Sequence, residues 1–208
     1  MEQIERINTD QVLFKSLEKL RDYIEKENYK GWDPYDALSS PLFKLPFFRS
    51  KKLIRFGTQQ LVKRSRINLR PLLRVPKGYN PVTLGLVLQG YCNQIMKTKI
   101  PEQDRNDTLK KIEFLVDELE RLQSKGFTGS CWGYDFDWEA RHANIPAYKP
   151  TVVATGFITN ALFLCNSITG NEKAKNMLVS AADFILNDLN RTYYNLPTNN
   201  EPQPKTLF

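Results

Sequence analysis

The sequence predicts an all-α protein, and three observations carry that prediction. Apolar residues recur at spacings of three and four along most of the chain, the pattern of helices that bury one face. No charged residue lies between Lys77 and Lys97 or between Lys149 and Glu172, so two further segments read as helices apolar on every side and therefore buried. Strand and helix patterns do not alternate, and no glycine-rich phosphate loop occurs, which removes doubly wound nucleotide-binding folds.

The elements follow in order. Asn8 to Asn28 carries Leu13, Leu17, Leu20 and Ile24 on one stripe, with Asn8 and Gln11 placed as a capping box. A second helix covers roughly 50–66. Pro81 to Met96 and Thr151 to Ile168 are the charge-free helices and form an inner layer. Each precedes a charged amphipathic helix, Asp107 to Ser124 and Asn171 to Leu189, that packs outside it. Tyr79-Asn80-Pro81-Val82 and Tyr148-Lys149-Pro150-Thr151 open the inner helices 69 residues apart, each with proline near the first turn, which marks an internal repeat. Six helices make three hairpins of alternating inner and outer members, the plan of a partial α/α toroid.

With 208 residues, 41% of them hydrophobic, the chain can bury one core, and residues 1–192 are expected to form a single domain. The tail from 193 to 208 is polar, contains Pro197, Pro202 and Pro204, and is expected to be disordered. No secretory signal and no run of eighteen apolar residues is read in the chain, and the three cysteines are too scattered for a disulfide framework or a zinc site. The expected compartment is the cytoplasm, extending to the inner face of the membrane. No metal and no cofactor is implied by the residue pattern.

The formal net charge of +7 has a position. From Ala37 to Pro101 there are 13 Lys and Arg and no Asp or Glu, whereas the rest of the chain has 17 basic against 23 acidic residues. Such a segment attracts polyanions, and Arg64, Arg66, Arg70 and Arg74 are its candidate anion-binding residues. Leu42, Phe43, Leu45, Phe47, Phe48, Leu53, Ile54 and Phe56 lie among the cations, a mixture suited to an anionic membrane surface. The alternative, that these apolar residues are core and the cations a solvated face, stays open. Nucleic acid is not expected, because no zinc finger, RNA-binding or helix-turn-helix signature is present.

The most informative motif is Trp132-Gly133-Tyr134-Asp135-Phe136-Asp137-Trp138-Glu139, in a glycine- and proline-punctuated stretch between two helices. In an extended segment the alternation would set Asp135, Asp137 and Glu139 on one face and Trp132, Tyr134 and Trp138 on the other. Carboxylates beside aromatic plates suit a sugar. Trp32, Asp33, Tyr35 and Asp36 repeat the same composition after the first helix, and Arg141 could bind a carboxylate or phosphate. Should the site be catalytic, Asp135, Asp137 and Glu139 are the carboxyl candidates and His142 the general acid or base, for a glycoside hydrolase, a lyase or an epimerase. That Trp132, Phe136 and Trp138 merely plug the loop onto the core is equally compatible with the sequence.

Gly31-Trp32-Asp33-Pro34-Tyr35-Asp36, Lys63-Arg64-Ser65, Ile67 to Leu73, Lys77 to Pro81, Cys131 to Trp138, Pro150 to Thr155 and Asp183 to Leu189 together resemble an uncharacterised bacterial family. The resemblance covers about residues 8–193. It implies an α/α toroid of the six-hairpin glycosidase type and an association with cell-surface polysaccharide biosynthesis. Members of that family are about twice as long, so the chain resembles a C-terminally truncated member with exposed helix edges; a homodimer that closes them is the favoured expectation, and an arc that stands alone as a short solenoid and a marginally stable remnant are the alternatives. The functional expectation is a carbohydrate-associated helical protein with an aromatic and acidic sugar-binding loop. The alternative is a noncatalytic scaffold that holds an anionic membrane or partner through residues 37–101. The expected partners are a carbohydrate or sugar-containing polyanion, an anionic membrane surface and no nucleic acid.

Overall fold

Seven α-helices and one two-stranded sheet make up the described part of the chain, residues 2–97, 101–141 and 143–189 of a computed structural model. The all-α expectation holds. The helices are α1 (Glu2–Lys26), α2 (Pro46–Ser50), α3 (Lys52–Arg64), α4 (Pro81–Lys97), α5 (Glu102–Arg121), α6 (Val152–Thr169) and α7 (Glu172–Asn187). The strands β1 (Trp138–Glu139) and β2 (Asn144–Ile145) form the sheet. Where the sequence predicts one domain, the contacts group into two compact units, residues 1–80 with 137–144, and 81–136 with 145–208. His142 and the tail from 193 lie outside the described residues.

The second unit keeps the expected adjacency of its helices: α4, charged only at its last residue Lys97, lies against charge-free α6, and charged α5 and α7 pack on α4 and α6 respectively. The expected burial on every side is not met, because Val152, Val153, Phe157 and Phe163 of α6 and Leu86 of α4 are exposed: absence of charge does not by itself supply a neighbour for every face. A Cβ on Gly85 would meet Ile158 Cγ1 at 3.3 Å, and the thiols of Cys92 and Cys165 lie against each other. Both contacts advance by seven residues on each helix, so α4 and α6 run side by side in the same direction. Leu84, Leu88, Leu115, Leu119, Ile158 and Leu162 fill the space between the helices with essentially no exposure. Asn171 caps α7 by accepting from Ala174 N at 2.8 Å, Thr151 caps α6 by accepting from Ala154 N at 3.1 Å, and Gly170 ends α6 in the left-handed conformation.

The first unit departs further from expectation. Helix α1 begins at Glu2, so Asn8 and Gln11 lie inside it and form no capping box. Its stripe does not reach a core: Leu13, Leu17 and Leu20 are each more than half exposed. The reason is that an amphipathic pattern specifies a face to be covered and not the element that covers it. Two short 3-10 turns, Asp36–Ser39 and Pro41–Lys44, lead into α2 and α3. The core of this unit is small, Ala37, Leu38, Val62 and Val75.

Candidate functional site

In the first unit the loop 31–36 is tied to the segment 65–80. Gly31 and Gly78 exchange backbone hydrogen bonds of 3.0 Å in both directions. Asp33 folds the loop on itself, accepting from Tyr35 N at 2.9 Å through Oδ1, and Asn80 donates to its Oδ2 at 3.2 Å. Asp36 accepts from Asp33 N at 3.0 Å and from Arg70 Nε at 2.8 and 3.1 Å, while Arg70 Nη2 donates to the carbonyl of Asp33 at 2.6 Å. Arg70 is therefore a partner inside the fold and not an outward anion-binding residue, which corrects its expected place beside Arg64, Arg66 and Arg74. Those three are exposed. Burial is the larger influence on both carboxyls and raises Asp33 and Asp36 above the ordinary aspartate range, Arg70 and the loop amides only partly opposing it.

A second cluster lies on one face of α3, where Arg55, Gln59 and Lys63 follow each other at helical spacing. Arg55 pairs with the buried carboxylate of Glu139, and Glu139 N donates to Gln59 Oε1 at 3.0 Å. Lys63 donates to the hydroxyl of Tyr35 and stands 4.0 Å from the centre of its ring. Tyr35 in turn meets Trp138, ring centres 5.7 Å apart and planes tilted by 57°. Both aromatics are half-buried. Nearby in sequence, Trp32 donates to the carbonyl of Val75 at 3.1 Å and carries the ammonium of Lys77 4.8 Å over its ring, with Lys77 bonded to Glu27 at 2.5 Å. The carbonyl of Arg141 accepts from Lys52 at 3.0 Å, and the Arg141 side chain is exposed.

The second unit holds the start of the aromatic and acidic motif. Trp132 is fully buried and donates from its indole to Leu119 O at 2.7 Å; its backbone N–H donates to the Thr155 hydroxyl at 3.1 Å, and its carbonyl accepts from Thr151 N at 3.0 Å. Gly133 passes so close to Tyr148 and Lys149 that a Cβ would collide with their backbone, and Gly129 meets Ser180 and Phe184 in the same way. Tyr134 stacks on Phe136 with ring centres 5.5 Å apart, and its carbonyl accepts from Tyr148 N at 2.7 Å. Tyr148 sits at φ 59°, a left-handed conformation rare for an aromatic residue. Burial first, then the charge of Asp135, raises its phenol. Burial also pushes the Cys131 thiol up to about 11, which keeps it protonated and unreactive at neutral pH.

The expected alternation is therefore broken. The chain bends at Asp135 and Phe136 and is extended only at Trp138–Glu139. Asp137 is exposed, Glu139 is buried against Arg55, and Asp135 belongs to the second unit while Asp137 and Glu139 belong to the first. Three carboxylates on one face do not form. The plug reading holds for Trp132 and Phe136 and fails for half-buried Trp138. Sequence reasoning missed Arg55, Gln59, Lys63 and Asn80 as partners of the motif residues. The spacing of 55, 59 and 63 was the signal available, but a basic segment without acids reads as a surface until its acidic partners arrive from loops far away in sequence. Compared with family models, curated proteins and solved structures, the chain matches none.

Proposed function

We propose that the protein is a noncatalytic, carbohydrate-associated helical protein that binds an acidic sugar beside Tyr35 and Trp138, in the assembly or modification of a bacterial surface polysaccharide. The observation that carries this reading is the convergence, in one compact unit, of three motif segments distant in sequence: 31–36, 63–70 and 138–141. Half-buried aromatic rings offer a stacking face, and the ammonium of Lys63 beside Tyr35 suits a carboxylate or phosphate on the sugar. The partial toroid implied by the family resemblance belongs to the same proposal. Binding is preferred over turnover because the buried Glu139 carboxylate is already engaged by Arg55, which leaves it poorly placed to move protons on a substrate.

Titration calorimetry with acidic and neutral oligosaccharides tests this. An acidic oligosaccharide should bind, more weakly as salt rises, and Trp138→Ala should lower the affinity at least tenfold, about 1.4 kcal/mol. No binding by the parent chain, or equal binding by Trp138→Ala, would sink the proposal.

A specific observation favours a second reading, attachment of the first unit to an anionic membrane surface. Leu42, Leu45, Phe47, Leu53, Ile67 and Leu72 are exposed beside exposed Lys44, Lys51, Arg64, Arg66 and Arg74. Phe43, Phe48, Ile54 and Phe56 of the same segment are half-buried, so its apolar residues are divided between surface and interior. Co-sedimentation with vesicles containing phosphatidylserine should then fall steeply with salt and with Leu53→Glu, and absence of binding at low salt would remove this reading.

A further inference from the structure

Helix α6 has no charged residue, yet one whole stripe of it is exposed: Val152, Val153, Gly156, Phe157, Asn160, Phe163 and, beyond them, Ser167. The four apolar side chains are 63%, 58%, 46% and 59% exposed. The opposite side of the same helix shows what such a surface does. There α6 meets α4, a helix uncharged up to its last residue Lys97, which accepts Ile158 in the notch left by Gly85. Gly85 is the fifth residue of α4, and Gly156 is the fifth residue of α6. At Gly156 the notch is present and empty, with nothing within 4 Å of where a Cβ would stand.

We propose that this stripe is the contact face of a symmetric dimer, in which α6 lies antiparallel to α6 of a second copy with the two-fold axis at Asn160. The stripe is complementary to itself about that residue. Three positions before Asn160 stands Phe157 and three after it Phe163, so each Phe157 would lie level with the partner's Phe163, and Gly156 beside it leaves room for the ring. Val153 and Ser167 lie seven positions to either side and pair in the same way. On the axis Asn160 meets its own copy, where two carboxamides can satisfy each other and fix the register. The absence of charge means that two identical faces meet without repulsion. Length and composition would also let α6 cross a bilayer. A lipid occupant is disfavoured, because hydrocarbon would leave the Asn160 carboxamide unsatisfied at the centre of the stripe.

The exposed apolar area is on the order of 350 Å² per protomer, below that of a standard stable interface, so the dimer is a weak one that forms at high concentration. This inference is independent of the glycan reading. Sedimentation velocity over about 1 µM to about 1 mM should show a monomer-dimer equilibrium, which Phe163→Glu shifts at least tenfold toward monomer while circular dichroism stays unchanged. Asn160→Cys should cross-link readily to a disulfide dimer under mild oxidation, because only a residue on the axis meets its own copy. Ser167→Cys alone should not, whereas a mixture of Ser167→Cys and Val153→Cys chains should. The native cysteines are buried and do not compete. A strict monomer at the highest concentration, a dimer indifferent to Phe163→Glu, or cross-linking of Ser167→Cys to itself in place of Asn160→Cys would each overturn the proposal. So would a chain that stays monomeric and inserts into neutral phosphatidylcholine vesicles, since lipid would then be the occupant.

Discussion

Two tryptophans six positions apart have different work. Trp132 is enclosed on all sides and its indole N–H has a backbone partner, so Trp132→Ala leaves a large cavity and an unpaired carbonyl at Leu119. We expect a loss of about 3–5 kcal/mol in denaturant unfolding, and a loss under about 1 kcal/mol would refute its role as a core residue. Trp138 is half-buried against Tyr35, and its replacement should tell mainly on binding. Asp33 and Asp36 titrate at higher pH than a surface carboxylate. Their folded pKa values lie above the unfolded value, so the folded chain holds extra protons between the two, and stability falls as pH rises through that window. Carboxyl-carbon NMR should find both titrating above the usual aspartate midpoint, and Arg70→Met should raise Asp36 further. A midpoint at or below the ordinary value would contradict burial as the dominant influence. Which of these acids and aromatics would be wet was hidden in the sequence, because groups that enclose them come from far along the chain, Arg70 to Asp36, Asn80 to Asp33 and Tyr35 to Trp138.

Among the elements, the loop from Leu122 to Thr151 is held by backbone contact as much as by side chains. Gly133 has no room for a methyl group against Tyr148 and Lys149, and these are backbone atoms that cannot rotate aside. Gly133→Ala should therefore cost about 2–3 kcal/mol, measured by thermal unfolding, whereas Gly156→Ala, in open space, should be neutral or slightly stabilising in the monomer. Similar costs for the two substitutions would refute the close approach. The helices were the legible part. α4, α5, α6 and α7 lie within a few residues of where periodicity and charge put them, since the positions of charged residues along a helix state directly which face is wet. Extended alternation was the misleading part: eight residues with a period of two fit a strand, but Gly133 and the bend at Asp135 let each side chain find its own surroundings.

On the scale of the whole molecule, the chain carries two separate clusters of buried residues. Their stabilities need not coincide, because each unit has its own contacts and the first has the smaller core. Trp132 reports on the second unit and Trp138 on the first, so single-tryptophan variants followed by fluorescence in urea should give two midpoints, with the first unit unfolding earlier. One coincident transition for both probes would mean that the units unfold as one.

The all-α class and the segments that carry aromatic and acidic residues are legible along the chain, because these follow from local composition and helical period, whereas the full burial expected of α6 is not found, since one stripe of it is exposed. Packing in three dimensions is what gives Arg70 to Asp36 and Arg55 to Glu139, encloses Trp132 in a core and leaves Trp138 half open. A side chain's period is written in its neighbours along the chain, but its burial and its ionic partner are set by residues brought from elsewhere, and no local pattern records them.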